Sequence, residues 1–243
     1  TIIWPTGKNM CRSRKKVREP VSVQEQVSVT GMILKTEPVG EYDRRVVILT
    51  RERGKIAAFA RGARKQGSRL LASTNPFCFG NFRLFAGRSA YTVGEASISN
   101  YFEGLREDFT AACYGMYFLE VMDYYTRENN DEKEMLKLLY QSLRALLHQG
   151  LSNRLVRYIF EIKALALNGE YPGIPKDGQP YDESTVYAVN YIVNAGVEKL
   201  YTFTVTEKIL GELAGIADGY RVRFMDRKMK SLEILYEMNE IPC

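Results

Sequence analysis

One short stretch of the sequence concentrates side chains that can bind phosphate. Residues 44–69 contain nine lysines and arginines against a single acid. Such cations neutralise a nucleic-acid backbone, and the counterions that they displace make the affinity depend on salt. Surfaces that serve only solubility mix both signs of charge, so we favour a polyanion-binding site over a solvated face. The predicted phosphate-contacting residues are Arg44, Arg45, Lys55, Arg61, Arg64, Lys65 and Arg69.

Other chemistry has little support in the sequence. The one histidine, His148, falls in the last turn of an amphipathic pattern, where a cation suits the helix dipole, so we expect a surface or capping role. Zinc usually takes four cysteine or histidine ligands at tight spacing, and no glycine motif for phosphate is present. We therefore predict no enzymatic activity and no metal or other cofactor. The cysteines are scattered, at Cys11, Cys78, Cys113 and Cys243.

The charge is unevenly distributed along the chain. The formal net charge is +5, yet the part from Leu105 onward holds 16 lysines and arginines against 21 acids. This asymmetry indicates a polyanion-binding module joined to a more neutral scaffold. We expect neither a membrane span nor a secretory signal, and scattered cysteines are typical of a reducing compartment. These features together predict a cytoplasmic protein.

Strand patterns surround the basic stretch. Apolar and β-branched residues alternate or cluster between turn residues, and a short helical piece is expected at Ser68–Ser73 between the third and fourth strands. A five-stranded, partly open barrel with this layout is the OB-fold. The basic stretch then occupies the second and third strands and the loop after them. The predicted strands are Val27–Leu34, Arg45–Thr50, Lys55–Ala60, Gly80–Ala86 and Tyr91–Ile98.

Aromatic residues of the barrel could add to a single-strand site, because bases stack on exposed rings. Small barrels also fill their interiors with large side chains. We expect most of these rings to lie in the core and predict no individual stacking residue. The candidates are Phe59, Phe77, Phe79, Phe82, Phe85 and Tyr91.

From Leu105 the apolar period changes to that of helices. We expect a second helix to begin with a capping box of Asp131 and Glu134, and Ser152 to cap a third. The predicted organisation is a basic, disordered tail over residues 1–26, an OB-fold domain over 27–104, and a helical domain over 105–243 with an irregular loop at 170–182. Its helices cover Phe109–Arg127, the segments that end at Gly150 and Gly169, Glu183–Asn194, Thr206–Asp218 and Val222–Met238.

Several short motifs resemble the RecO family of bacterial recombination mediators, and the likeness runs roughly from Val27 to Met238. The order of the arginine, lysine and glycine residues is fairly specific to this family, whereas the pattern of the helical half alone is not. A shorter match occurs near the end, at Lys230–Leu232. The motifs that carry the resemblance are Thr30–Lys35, Gly40–Asp43, Leu49–Lys55, Ala60–Lys65, Ser68–Leu70, Asn75–Phe77 and Phe102–Asp108.

The resemblance implies an OB-fold, a helical bundle and a C-terminal region that often bears a zinc ribbon. It also implies binding of single- and double-stranded DNA, annealing of complementary strands, pairing with RecR, binding of the tail of the single-strand-binding protein SSB, and help in loading RecA. This chain departs from the pattern after Gly169, because Glu170–Asp182 has no cysteine where many members carry two C-x-x-C pairs. We therefore expect a Cys-free loop in place of the zinc ribbon.

Three interpretations of function remain open from the sequence. The first is a non-catalytic mediator of DNA repair that is cytoplasmic and associated with the nucleoid. The second is an RNA-binding OB-fold protein, since the fold serves both nucleic acids. The third is a scaffold whose basic face docks acidic protein tails.

Overall fold

A computed structural model describes residues 25–87, 90–176, 180–238 and 240. The predicted basic tail, residues 1–26, lies outside the described residues except for its last two. No helix in these ranges is both long and apolar enough to cross a membrane.

Five strands form a closed barrel in the order β1-β2-β3-β5-β4. Neighbouring strands are antiparallel, except that β3 and β5 are parallel. A short helix, α1 (Leu70–Ser73), follows β3 and precedes β4. This is the predicted OB-fold topology, which the structure confirms. The strands are β1 (Gln26–Val39), β2 (Asp43–Thr50), β3 (Gly54–Ala60), β4 (Phe79–Phe85) and β5 (Tyr91–Asn100).

Strand β1 is longer than the predicted Val27–Leu34, which assumes that Pro38 and Gly40 break the strand, and it runs past Pro38 to Val39. The ladder with β4 covers only residues 26–32, whereas the ladder with β2 continues to Val39. Pro38 therefore lies where β1 has one neighbour, a position at which a missing N–H is tolerated. A register shift between Ile33 and Lys35 marks an irregularity in the ladder.

Strand β2 is buried on both faces. Val46 and Ile48 belong to the core of the barrel, whereas Val47 and Leu49 pack into the core of the helical part. Alternate residues of a strand point to opposite faces, so one strand contributes to both cores. This explains why the strand reads as a continuous apolar run.

Seven α-helices follow the barrel in the described chain. Helix α3 has ten buried residues, as expected for a segment that is apolar most of the way round. Asp108 caps α3 by accepting a bond of 2.9 Å from the N–H of Ala111, and the predicted cap of α5 by Ser152 is confirmed. The helices are α2 (Gly104–Glu107), α3 (Phe109–Tyr125), α4 (Lys133–Leu146), α5 (Asn153–Leu167), α6 (Glu183–Asn194), α7 (Glu207–Phe224) and α8 (Lys230–Glu237).

Several predictions of helix boundaries are wrong, and α4 ends at Leu146 rather than at Gly150. Helix α4 begins at Lys133, and the side chain of Glu132 before it makes no capping bond. Asp131 Oδ1 accepts from the N–H of Lys133 at 3.3 Å, but Glu134 bonds to Lys137, so the reciprocal bonds of a capping box are not formed. The helix predicted at Val222–Met238 is α8, which begins only at Lys230, and α7 does not stop at Asp218 but continues to Phe224. The buried side chain of Tyr220 gives this last part of the helix an apolar anchor that the preceding glycine does not disrupt.

Helix α7 holds the described part of the Cys-free loop. The hydroxyl of Tyr220 donates to the carbonyl oxygen of Gly173 at 2.6 Å, and Lys208 forms an ion pair of 2.7 Å with Asp182. Side-chain bonds thus connect this segment to the bundle near both of its ends.

The turn between β2 and β3 is joined to the helical part. The N–H of Lys55 donates to the carbonyl oxygen of Arg127 at 2.9 Å, and the N–H of Asn129 donates to that of Arg53 at 3.0 Å. Gly54 has a φ of +64°, and a Cβ there would lie 2.2 Å from the carbonyl oxygen of Arg127. Only glycine permits this close approach. The opposite ends of β2 and β3 carry the β1–β2 turn and the β3–α1 connection.

Candidate nucleic-acid interface

The connection between β3 and α1, residues 61–69, is hereafter the basic loop. Its four cationic side chains are all exposed. Among the residues that the structure describes, no carboxylate forms an ion pair with any of them. Cations without a carboxylate partner are available to an external anion. The four are Arg61, Arg64, Lys65 and Arg69.

Main-chain hydrogen bonds fix the basic loop against the β1–β2 turn. The N–H of Arg64 donates to the carbonyl oxygen of Tyr42 at 2.9 Å. The N–H of Gly62 donates to Asp43 Oδ1 at 2.7 Å, and Gly62 itself adopts a φ of +64°. Apart from a bond of 3.2 Å from Arg64 Nη1 to the carbonyl oxygen of Gly40, the charged groups take little part in this anchoring. The loop is therefore ordered independently of the ligand that its charges could bind.

Arg44 occupies a different environment from the basic loop. Its Nη1 donates to the carbonyl oxygen of Leu71 at 2.9 Å, to Thr74 Oγ1 at 2.9 Å and to Asn75 Oδ1 at 3.0 Å. These acceptors belong to α1 and the residues after it, so the guanidinium ties the start of β2 to the helix. The bonds give Arg44 a structural role.

Arg45 and Lys55 also have partners within the protein. Arg45 forms an ion pair of 3.2 Å with Glu37, and Lys55 forms one of 3.1 Å with Asp123 on α3. Burial disfavours the charge of Asp123, but hydrogen bonds and charges from Lys55 and Arg227 outweigh it and lower the pKa of the carboxyl. Lys55 is about one-fifth exposed. Its ammonium group joins the barrel to the helical part.

The structure therefore brings together four of the seven predicted phosphate-contacting residues. Arg61, Arg64, Lys65 and Arg69 share one exposed loop, whereas the other three form bonds to α1, to β1 and to α3. Contact with phosphate stays a prediction for all seven residues.

Two of the six aromatic candidates are buried, so the prediction that most of them lie in the core holds only in part. Phe82 and Phe77 are buried, and the remaining four candidates are partly buried. Sequence reasoning missed Tyr42, whose side chain is 46% exposed in the β1–β2 turn. Lys65 Nζ lies 5.2 Å from the centroid of this ring. The sequence feature that could have identified Tyr42 is its position in a short polar turn, where an aromatic side chain cannot pack into a core.

A buried ionic cluster lies in the helical part, far along the chain from the basic loop. Arg157 is completely buried and donates to Glu161 Oε1 at 2.7 Å, while Tyr117 donates to the same oxygen at 2.6 Å. Burial and then the charge of Glu161 raise the pKa of Tyr117. Arg157 also pairs with Asp218 of α7, so the cluster links α3, α5 and α7. In the described ranges, no group of three His, Cys, Asp or Glu residues could hold a metal ion.

The barrel and the basic loop define the chain as an OB-fold protein with an attached helical domain. The family model "Recombination protein O N terminal" matches residues 24–102, and "Recombination protein O C terminal" matches residues 106–174. The chain belongs to the RecO family of DNA repair and recombination proteins. The resemblance seen in the short motifs is thus confirmed.

Curated relatives extend the match beyond the two models. The DNA repair protein RecO of Acetivibrio thermocellus is 25% identical over 248 residues, which cover 89% of this chain and 99% of the relative. That of Clostridium novyi is 28% identical over 233 residues, covering 84% and 91%. That of Alkaliphilus metalliredigens is 34% identical over 146 residues, covering 60% and 59%.

Proposed function

We propose that this chain is a non-catalytic DNA repair and recombination mediator whose basic loop binds single- and double-stranded DNA without sequence specificity. The supporting observation is the group of four exposed cations without a carboxylate partner in the described structure. Cations of this kind contact phosphate groups, which are the same in every DNA sequence. The family membership of the chain favours DNA as the polyanion.

Annealing of complementary strands follows from the same chemistry. Two single strands repel each other, and cations that neutralise their phosphates allow them to approach. Base pairing then supplies the free energy, so the protein needs neither nucleotide hydrolysis nor a cofactor. We propose accordingly that the chain acts without zinc and that side-chain bonds such as the one from Tyr220 to the carbonyl oxygen of Gly173 hold the loop of residues 170–182 instead.

The proposed partners are RecR, the C-terminal tail of SSB and, indirectly, RecA. The family membership supports them. A mediator that contacts SSB and DNA together concentrates itself where single strands occur and helps RecA to load on SSB-coated DNA. We propose accordingly that the protein acts in the cytoplasm, close to the nucleoid.

Strand annealing on SSB-coated DNA tests the proposal. In the loop variant, Arg61, Arg64, Lys65 and Arg69 are all replaced by glutamine, and we expect annealing to slow strongly relative to the wild type. Equal annealing by the two proteins would contradict a role for the basic loop. Binding to matched DNA and RNA single strands separates this function from RNA binding, and a partner complex that survives nuclease treatment would favour the protein scaffold.

A further inference from the structure

Three exposed apolar side chains lie in the segments next to the basic loop. Within the described part of the barrel, the exposed large apolar side chains are Val39, Tyr42 and Leu71, and their exposed fractions are 37%, 46% and 39%. Val39 ends β1, and Tyr42 lies in the β1–β2 turn. Leu71 lies nearby, because Arg44 at the start of β2 bonds to its carbonyl oxygen.

The position of Tyr42 does not depend on packing of its ring. The carbonyl oxygen of Tyr42 and the side chain of the next residue, Asp43, both accept bonds from the basic loop, and these bonds set the turn. The ring belongs to neither apolar core. Lys65 Nζ lies over the ring, 5.2 Å from its centroid. An exposed ring on a hydrogen-bonded turn, with a lysine over its face, suits a ligand that carries both flat apolar groups and phosphates.

Resting on the proposed DNA binding by the basic loop, we infer that Tyr42 is a base-stacking residue that makes this site favour single-stranded over double-stranded DNA. An unpaired base presents its flat face, whereas the bases of a duplex are already stacked on one another. The ring of Tyr42 can therefore contact a base only in a single strand. The cations of the basic loop contact phosphates in both forms of DNA.

The expected loss of DNA affinity follows from the general strength of base stacking on aromatic side chains. Loss of one such contact typically weakens single-strand binding about tenfold, or about 1.4 kcal/mol. Tyr42→Ala should produce a loss of this size on single strands and none on a duplex. Tyr42→Phe keeps the ring and should bind like the wild type. Neither substitution changes the charge, so the salt dependence of binding should stay the same.

Comparing two proteins on two DNA strands isolates the stacking contact between Tyr42 and a base. Wild type and Tyr42→Ala are titrated with a thymidine strand of about 15 nucleotides and with an abasic strand that has the same number of phosphates. Because the abasic strand has no base to stack, Tyr42→Ala should weaken binding to the thymidine strand alone. Tyr187→Ala is the matched control, since Tyr187 is 72% exposed on α6 in the helical part; it should bind both strands like the wild type.

The outcomes separate this inference from the proposed function. Equal losses on the thymidine and abasic strands, or no loss on either, would overturn the stacking role. If the loop variant weakens all binding in that case, the proposed DNA binding still stands. Unchanged binding by the loop variant would instead refute the proposed function, and the role of Tyr42 with it.

Discussion

Neutralising the four cations of the basic loop should flatten the salt dependence of DNA binding. The loop variant changes the formal net charge from +5 to +1. Each phosphate contact contributes about 0.7 to the slope of log affinity against log salt for single strands and about 0.9 for a duplex. If all four side chains contact phosphate, the slope should become shallower by about 3 for single strands.

A control variant removes the same charge from the helical part. Its four lysines are exposed, and replacing them with glutamine breaks only surface ion pairs, each of which contributes at most about 1 kcal/mol to stability. The control variant should keep the slope of the wild type. The lysines are Lys133, Lys137, Lys208 and Lys228.

Fluorescence anisotropy with labelled oligonucleotides measures the slope directly. Between about 50 and 200 mM salt, the four contacts alone should cost the wild type about 50-fold in single-strand affinity, and the loop variant should lose this part of the dependence. Parallel slopes for the wild type and the loop variant would refute the argument. An equal flattening in the control variant would show that net charge, rather than the basic loop, determines binding.

Three further predictions concern the residues that hold the barrel in place. Arg44→Ala should lower the free energy of unfolding in urea by about 1.5–3 kcal/mol, because three hydrogen bonds are lost. The salt dependence of DNA binding should stay the same. A flatter salt dependence would instead show that Arg44 contacts phosphate. Asp123→Asn should destabilise the protein at neutral pH by removing the charge paired with Lys55. Since the folded carboxyl has a lowered pKa, its contribution should be complete above its ordinary pKa of about 3.9 and disappear as the pH falls through the folded value; a deficit that persists in acid would contradict this. Gly67→Ala should lower the free energy of unfolding by about 1–2 kcal/mol, because alanine disfavours the positive φ. Gly54→Ala should lower it clearly more, since of these two glycines only Gly54 would place the added Cβ against a backbone oxygen. Equal losses of the two variants in thermal unfolding would argue against that contact.

The sequence predicts the barrel well because its evidence is local. Alternating apolar residues and glycine turns specify strands and hairpins within a few positions, and the order of the five strands follows from the OB layout. The long β1 was missed because the effect of Pro38 depends on how many strands lie beside it. That number is a property of the closed barrel.

The partners of the cations could not be predicted from the sequence. Lys55 and Asp123 are 68 positions apart, and Arg44 bonds to residues 27 to 31 positions away. The sequence shows that a residue is a lysine or an arginine, but it does not show whether the side chain contacts phosphate or forms an internal ion pair. Only tertiary structure separates Arg44 and Lys55 from the four exposed side chains of the basic loop.

The anchoring of the basic loop has a consequence for how binding and stability are related. Main-chain N–H groups of the loop donate to the carbonyl oxygen of Tyr42 and to the carboxylate of Asp43, so most of its charged side chains add little to the folded structure. Lys55 and Arg44, in contrast, connect β-strands to helices through their charged groups. Substitutions in the basic loop should therefore change the proposed DNA binding with little cost in stability, whereas substitutions at Lys55 or Arg44 should change stability first. The two sets of cations in one basic stretch thus differ in what holds them in place, and this difference makes their roles separable by experiment.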